Sequence, residues 1–235
     1  MKKWRWILLP LILCFFTGCS KVSSADANLI SVDKDGAITS AIIEPFDKDY
    51  YDKEELKQNI EDAIDAYNTQ AGDEAIEMKS FKIRKDTAYV IMKYTAYKDY
   101  TEFNQAPIFV GTVQEAIAAG YDTTENLSKT GDNLLTTMQE LAASEDTYHV
   151  VVVKEPLQVE TPGNILYTSE FVSVPEKKLA EVQAGSHAIS AVVESGEDET
   201  AETGSDETGQ SSGEAEDAGE KTAVMLDKYA YIIYK

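Results

Sequence analysis

The sequence predicts an α+β fold: a single domain with an antiparallel or mixed sheet, two to three helices and a disordered acidic insertion. Three observations lead there. A 3.6-residue apolar period follows Asp52, as in an amphipathic helix. Short β-branched and aromatic runs recur on both sides of it, separated by turn residues. A Tyr- and Ile-rich segment, Tyr229–Tyr234, resumes the core after the acidic stretch.

The elements follow in chain order. Leu29–Val32 and Ala37–Ile43 flank Asp33-Lys34-Asp35-Gly36, and Asp-Gly between such runs is a strong hairpin signal. Asp52 with Glu55 three residues on has the form of a capping box. Leu56, Ile60, Ala63, Ile64 and Tyr67 then mark one face of a helix that ends near Gly72. Ile76–Ile83 and Ala88–Tyr97 read as a second hairpin across Arg84-Lys85-Asp86. Short helices are expected over Lys98–Gln105 and Val113–Ala119, the latter closed by Gly120, with a strand at Ile108–Val110 between them. Tyr121–Lys129 reads as loop and Leu134–Ala143 as another amphipathic helix.

Tyr148–Val153 is a continuous run, as in a strand buried on both faces. Further strands are expected near Leu157–Val159, Ile165–Tyr167, Phe171–Val174 and Leu179–Val182, with Pro162-Gly163 as a turn. From Glu194 to Glu220 eleven Asp and Glu occur without a Lys or Arg, among Ser, Gly, Thr and Ala. Such composition cannot bury enough apolar surface to offset its ordering entropy. Residues 185–220 are therefore read as a disordered insertion at a loop tip, because Ala223–Leu226 and Tyr229–Tyr234 read as strand again.

The N-terminus carries a different signal. Lys2, Lys3 and Arg5 precede an apolar run to Phe16, which ends in Thr17-Gly18-Cys19. That is a positive region, a short hydrophobic region and a small-residue cleavage site, the layout of an export signal. A Cys after Thr-Gly is the pattern of lipoprotein processing, which acylates the thiol and cuts before it. The run falls short of the roughly 20 apolar residues that span a bilayer. Residues 1–18 are expected to be a lipoprotein signal peptide, 19–27 the lipidated Cys19 with a polar tether, and 28–235 the folded domain. Cys14 leaves with the signal, so Cys19 is the sole thiol of the mature chain and is consumed by lipid. A diacylglyceryl group anchors stably where one acyl chain does not.

Charge limits the partners. The chain carries −21, and loss of Lys2, Lys3 and Arg5 brings it to −24. Nucleic acid and anionic lipid are both repelled by such a surface, so neither is expected as a partner through general electrostatics. A basic protein or peptide, or a glycan at the cell surface, is the expected kind of partner besides the bilayer itself.

Val32-Asp33-Lys34-Asp35-Gly36 with Ile38-Thr39, then Phe46-Asp47-Lys48-Asp49-Tyr50-Tyr51, carry a family likeness. Gly111-Thr112-Val113 through Ala119-Gly120-Tyr121, Pro162-Gly163-Asn164-Ile165-Leu166-Tyr167 and Tyr231–Lys235 carry the rest. The chain resembles a group of uncharacterised small lipoproteins of Clostridia-type Gram-positive bacteria. The resemblance covers nearly all of the mature chain apart from the acidic insertion. It implies a lipid anchor on the outer face of a single cell membrane, and no particular activity.

Catalytic motifs fare poorly. Gly209-Gln210-Ser211-Ser212-Gly213 spells a nucleophile elbow, which works only on a strained strand-to-helix turn, and here it lies amid acidic low-complexity residues. Ser31-Val32-Asp33-Lys34 and Lys129-Thr130-Gly131 match two of three penicillin-binding motifs, but Ser-Asp-Asn is absent. Asp33, Asp35 and Gly36 resemble the opening of a calcium loop without its remaining ligands, and Asp47, Asp49 and Asp52 form a second acidic cluster. His149 reads as structural and His187 as solvated. Tyr50, Tyr51, Tyr94, Tyr97, Tyr100, Tyr167, Tyr229, Tyr231 and Tyr234 suit half-buried sheet faces better than a stacking surface for ligand. No catalytic, cofactor-binding or metal residue is therefore assigned. The expectation is a membrane-anchored binding or envelope-associated module, lipidated at Cys19 with palmitate-type chains. The alternative is a glycan hydrolase or other envelope enzyme acting through paired carboxylates.

Overall fold

The computed structural model describes residues 21–185, 188–192 and 222–235. Cys19, His187, the Gly209–Gly213 motif and the acidic run lie outside the described residues, as does most of the expected 185–220 insertion.

The first strands form where the turn chemistry places them. β1 (Leu29–Val32) and β2 (Ile38–Pro45) pair antiparallel across Asp33–Gly36. Asp33 Oδ1 accepts from the amides of Asp35 and Ala37, both at 2.9 Å, and Gly36 takes φ +83°, which a side chain would resist. Helix α1 (Lys53–Ala71) starts at Asp52, whose carboxylate accepts from Glu55 N at 2.9 Å, and ends at Gly72 in the left-handed conformation. Asn68 clamps the last turn of α1 to β3 (Ile76–Ile83), donating to Ile76 O and accepting from Ile76 N, each at 2.9 Å. β3 pairs with β4 (Thr87–Tyr94) through a two-residue turn in which Lys85 and Asp86 both have positive φ.

Helix α2 (Tyr97–Asn104) follows, then β5 (Ile108–Thr112) and helix α3 (Val113–Ala118). The chain continues through β6 (Leu127–Lys129), β7 (Leu135–Thr136) and helix α4 (Met138–Ala142). The remaining strands are β8 (His149–Val153), β9 (Gln158–Glu160), β10 (Ile165–Thr168), β11 (Val172–Glu176) and β12 (Leu179–Val182). β13 (Ala188–Val192), β14 (Thr222–Leu226) and β15 (Ala230–Tyr234) end the chain.

These strands make two large sheets and a ribbon. The first sheet has the order β11-β12-β9-β1-β2-β4-β3, mixed because β1 and β9 run parallel. The second, β5-β8-β15-β10-β6-β7, is antiparallel throughout. β13 and β14 form the ribbon. One apolar layer joins the sheets: Ile30, Ile38, Met92 and Val159 of the first meet Val151, Val153 and Ile232 of the second. The opposite face of the second sheet presents Val150, Val152, Tyr231 and Ile233, which α3 and α4 cover with Val113, Ala116, Met138 and Leu141. The fold is α+β, as the sequence predicts.

Four details differ from the sequence reading. Lys21–Ser24 is a 3₁₀ turn rather than tether: Val22 is 4% exposed against Leu29, Ala41 and Leu179, so burial docks it. Leu127 is fully buried, which makes a strand of a stretch read as loop. The helix expected over Leu134–Ala143 is reduced to α4, because Thr137 caps it with Glu140 and Leu135 pairs with Ser128 instead. A fourth helix thus joins the two to three expected, among the described residues. Residues 188–192, assigned to the insertion, pair with β14; their Ala-Ile-Ser-Ala-Val composition precedes the charge run.

Candidate functional site

One end of the molecule gathers five chain segments around an open recess of about 490 Å³. The parallel pairing of β1 with β9 sets the two strand ends side by side, Ser31 opposite Glu160. The turns that follow, Asp33–Gly36 and Thr161–Asn164, are therefore neighbours. Lys178, from the β11–β12 turn, joins them, with its carbonyl accepting from Thr161 N at 2.9 Å. The end of β15 closes the remaining side, where Asn164 and Lys235 exchange both backbone hydrogen bonds at 2.9 and 3.1 Å. Gly163 is required by this approach: a Cβ there would lie 2.5 Å from Lys235 O.

The lining is cationic and aromatic. Lys34, Lys178, Lys235 and His149 face the recess with Asn164 and Tyr234, and among the described residues no Asp or Glu side chain lines it. Lys178 Nζ donates to Pro162 O at 2.7 Å, which holds the ammonium at the rim. Lys235 Nζ pairs with Asp146 at 2.6 Å and lies 5.8 Å from the centre of the Tyr148 ring. That hydrogen bond and charge hold the Asp146 carboxyl below its ordinary value. His149 stacks on Tyr234 with ring centres 5.4 Å apart. Burial pushes the Tyr234 hydroxyl up to about 12, so it stays protonated at neutral pH and can donate a hydrogen bond.

The same end holds the N-terminal segment. Lys21 N donates to Glu160 Oε2 at 3.3 Å, Ser31 Oγ donates to the same oxygen at 2.7 Å, and Lys21 Nζ pairs with Glu176. Glu160 ends β9 and Glu176 ends β11, so residue 21 is fixed next to the turns that wall the recess.

The other residues singled out from sequence are placed elsewhere. Asp33 is spent on its own turn and Asp52 on the cap of α1. Ser31 and Lys129 belong to different sheets, so the two penicillin-binding motifs are not one site. Tyr94, Tyr100, Tyr231 and Tyr234 are at most 7% exposed, so they are core rather than a stacking surface. Tyr50 and Tyr51 do remain exposed, at 73% and 42%. A half-buried carboxyl, Glu155, accepts from Tyr100 Oη at 3.1 Å, and burial raises it above the usual carboxylate range.

The recess was missed in the sequence. Both of its turns are legible there, but their adjacency depends on pairing β1 with β9 across more than 120 residues. Among known proteins, no family, no curated relative and no solved structure matches the chain.

Proposed function

We propose that the chain is a membrane-anchored extracytoplasmic lipoprotein, acylated at Cys19 and held on the extracellular face of the cell membrane, with its folded domain acting as a binding module. The observation that carries this reading is the N-terminal layout: Lys2, Lys3 and Arg5, the apolar run, then Thr17-Gly18-Cys19. The docked 3₁₀ turn supports it. Two residues span at most about 7 Å, so an acyl group on Cys19 would lie close to the fixed Lys21. The domain would then meet the membrane with one defined end, in contrast to a body swinging on a long tether.

A binding role is favoured over the hydrolase alternative by the lining of the recess. Glycoside hydrolysis needs two carboxylates about 5 to 10 Å apart across a cleft, and Lys34, Lys178, Lys235 and His149 occupy that place here.

The test is metabolic labelling of cells with a palmitate analogue. The wild-type protein is expected to label and to sediment with membranes. Cys19→Ala should lose the label and leave the membrane fraction. Labelling of Cys19→Ala equal to wild type would overturn the anchor.

A further inference from the structure

We propose that the recess between the β1–β2, β9–β10 and β11–β12 turns binds a phosphate-type oxyanion. The proposal deepens the binding reading above and rests on it only for the source of the ligand.

In a chain of −21, anions are repelled at long range, so a concave surface lined by three lysines and a histidine, with no Asp or Glu side chain among the described residues, departs from that overall charge. Several carboxylates nearby are engaged. Asp146 is paired with Lys235, Glu160 accepts from Ser31 and Lys21, Glu176 pairs with Lys21, and Asp33 accepts two turn amides. Lys34 has no ion pair among the described residues, and Lys178 spends one of its three protons, on the Pro162 carbonyl. Two ammonium groups thus face the recess without a counter-charge.

Neutral donors complete the set. The side-chain amide of Asn164 and the hydroxyl of Tyr234 make no hydrogen bond among the described residues, and the His149 ring beside them offers a further N–H. Lysines bind phosphate as point charges, and neutral donors orient its oxygens. The walls are preformed: the Gly163–Lys235 approach and the Asn164–Lys235 backbone pair fix the turn. Ordering costs on binding are correspondingly small.

Two sources carry this chemistry, a soluble phosphate ester and a lipid headgroup. The second is within reach because Lys21, two residues from Cys19, is held on Glu160 and Glu176 at the same end.

The test uses the full-length protein in neutral detergent micelles, titrated with inorganic phosphate and followed by amide NMR. Saturable shifts are expected at residues 34, 149, 164 and 178, with a dissociation constant of roughly 1 mM or tighter. Lys34→Gln with Lys178→Gln should weaken binding about tenfold or more. Both lysines are exposed, so the variant keeps its fold, checked by circular dichroism. Lys57→Gln on α1 should change nothing. Shifts that never saturate, or equal weakening by Lys57→Gln, would overturn the site. In a second arm the protein is placed in phosphatidylcholine vesicles with or without phosphatidylglycerol. Recess shifts that appear with phosphatidylglycerol and no added phosphate identify a headgroup; shifts that still need added phosphate identify a soluble ester. Loss of palmitate labelling with phosphate binding intact would remove the anchor and leave the recess standing, so the two readings fail separately.

Discussion

The two sheets solve burial differently. In the second sheet both faces are covered: β8 and β15 alternate between the inter-sheet layer and the layer under α3 and α4. His149–Val153 and Ala230–Tyr234 accordingly carry apolar or aromatic side chains at nearly every position. In the first sheet one face is covered by the second sheet, α1 and α2, and the other is largely open. β4 shows it, with Val90, Met92 and Tyr94 inward and Tyr89, Ile91 and Lys93 outward. The 3₁₀ turn at Lys21–Ser24 covers a small part of that outer face, through Val22. A two-sided strand is thus a stability element, whereas the one-sided sheet leaves surface free; both sheets carry strand ends to the recess.

The comparison can be broken most directly by deletion. Removing residues 230–235 takes out the strand between β8 and β10, buried at all five positions of β15. The truncated chain is expected to lack a cooperative thermal transition; a sharp melt monitored by near-ultraviolet circular dichroism would contradict the central role of β15. Point substitutions separate the faces. Ile233→Ala should cost about 2–5 kcal/mol, since Ile233 is fully buried under the helices. Ile91→Ala, on the outer face of the first sheet, should cost roughly 1 kcal/mol or less. Urea denaturation of both variants checks the ratio, and equal losses would erase the distinction. Removal of the α1 cap, Asp52→Ala, comes next, at about 1 kcal/mol.

Glu155 gives the smallest and most specific effect. Burial holds its carboxyl above the ordinary value, more than the Tyr100 hydrogen bond lowers it. A carboxyl raised in the folded state contributes stability below its unfolded value, and that contribution is lost as pH rises through the folded one. Glu155→Gln should therefore raise the melting temperature at pH 7 and have little effect near pH 4. Exposed Glu115, Asp122 and Asp146, held low by hydrogen bonds, act in the opposite sense as pH falls. A pH-independent effect of Glu155→Gln would indicate that its burial is unimportant.

Much of the fold was legible in the sequence, and particular residues show why. Asp52, Gly72, Asp33–Gly36 and the Val150–Val153 run act through local rules: capping, left-handed glycine, turn hydrogen bonds and two-sided burial. Positions that failed depend on distant partners. Val22 is buried because Leu29, Ala41 and Leu179 converge on it, and Leu127 because β10 lies alongside β6. Leu135 is exposed at 62% and pairs in β7, although its helical period with Leu141 suggested otherwise.

The sequence by itself determined the class α+β, the hairpins and the first helix, since each rests on contacts within a few residues or on composition. The tertiary structure alone decided which turns meet. Parallel pairing of β1 with β9, and the antiparallel backbone pair of Asn164 with Lys235, bring Lys34, His149, Lys178 and Lys235 into one recess beside Lys21. Those residues are separated by up to two hundred positions, and no local preference encodes their meeting.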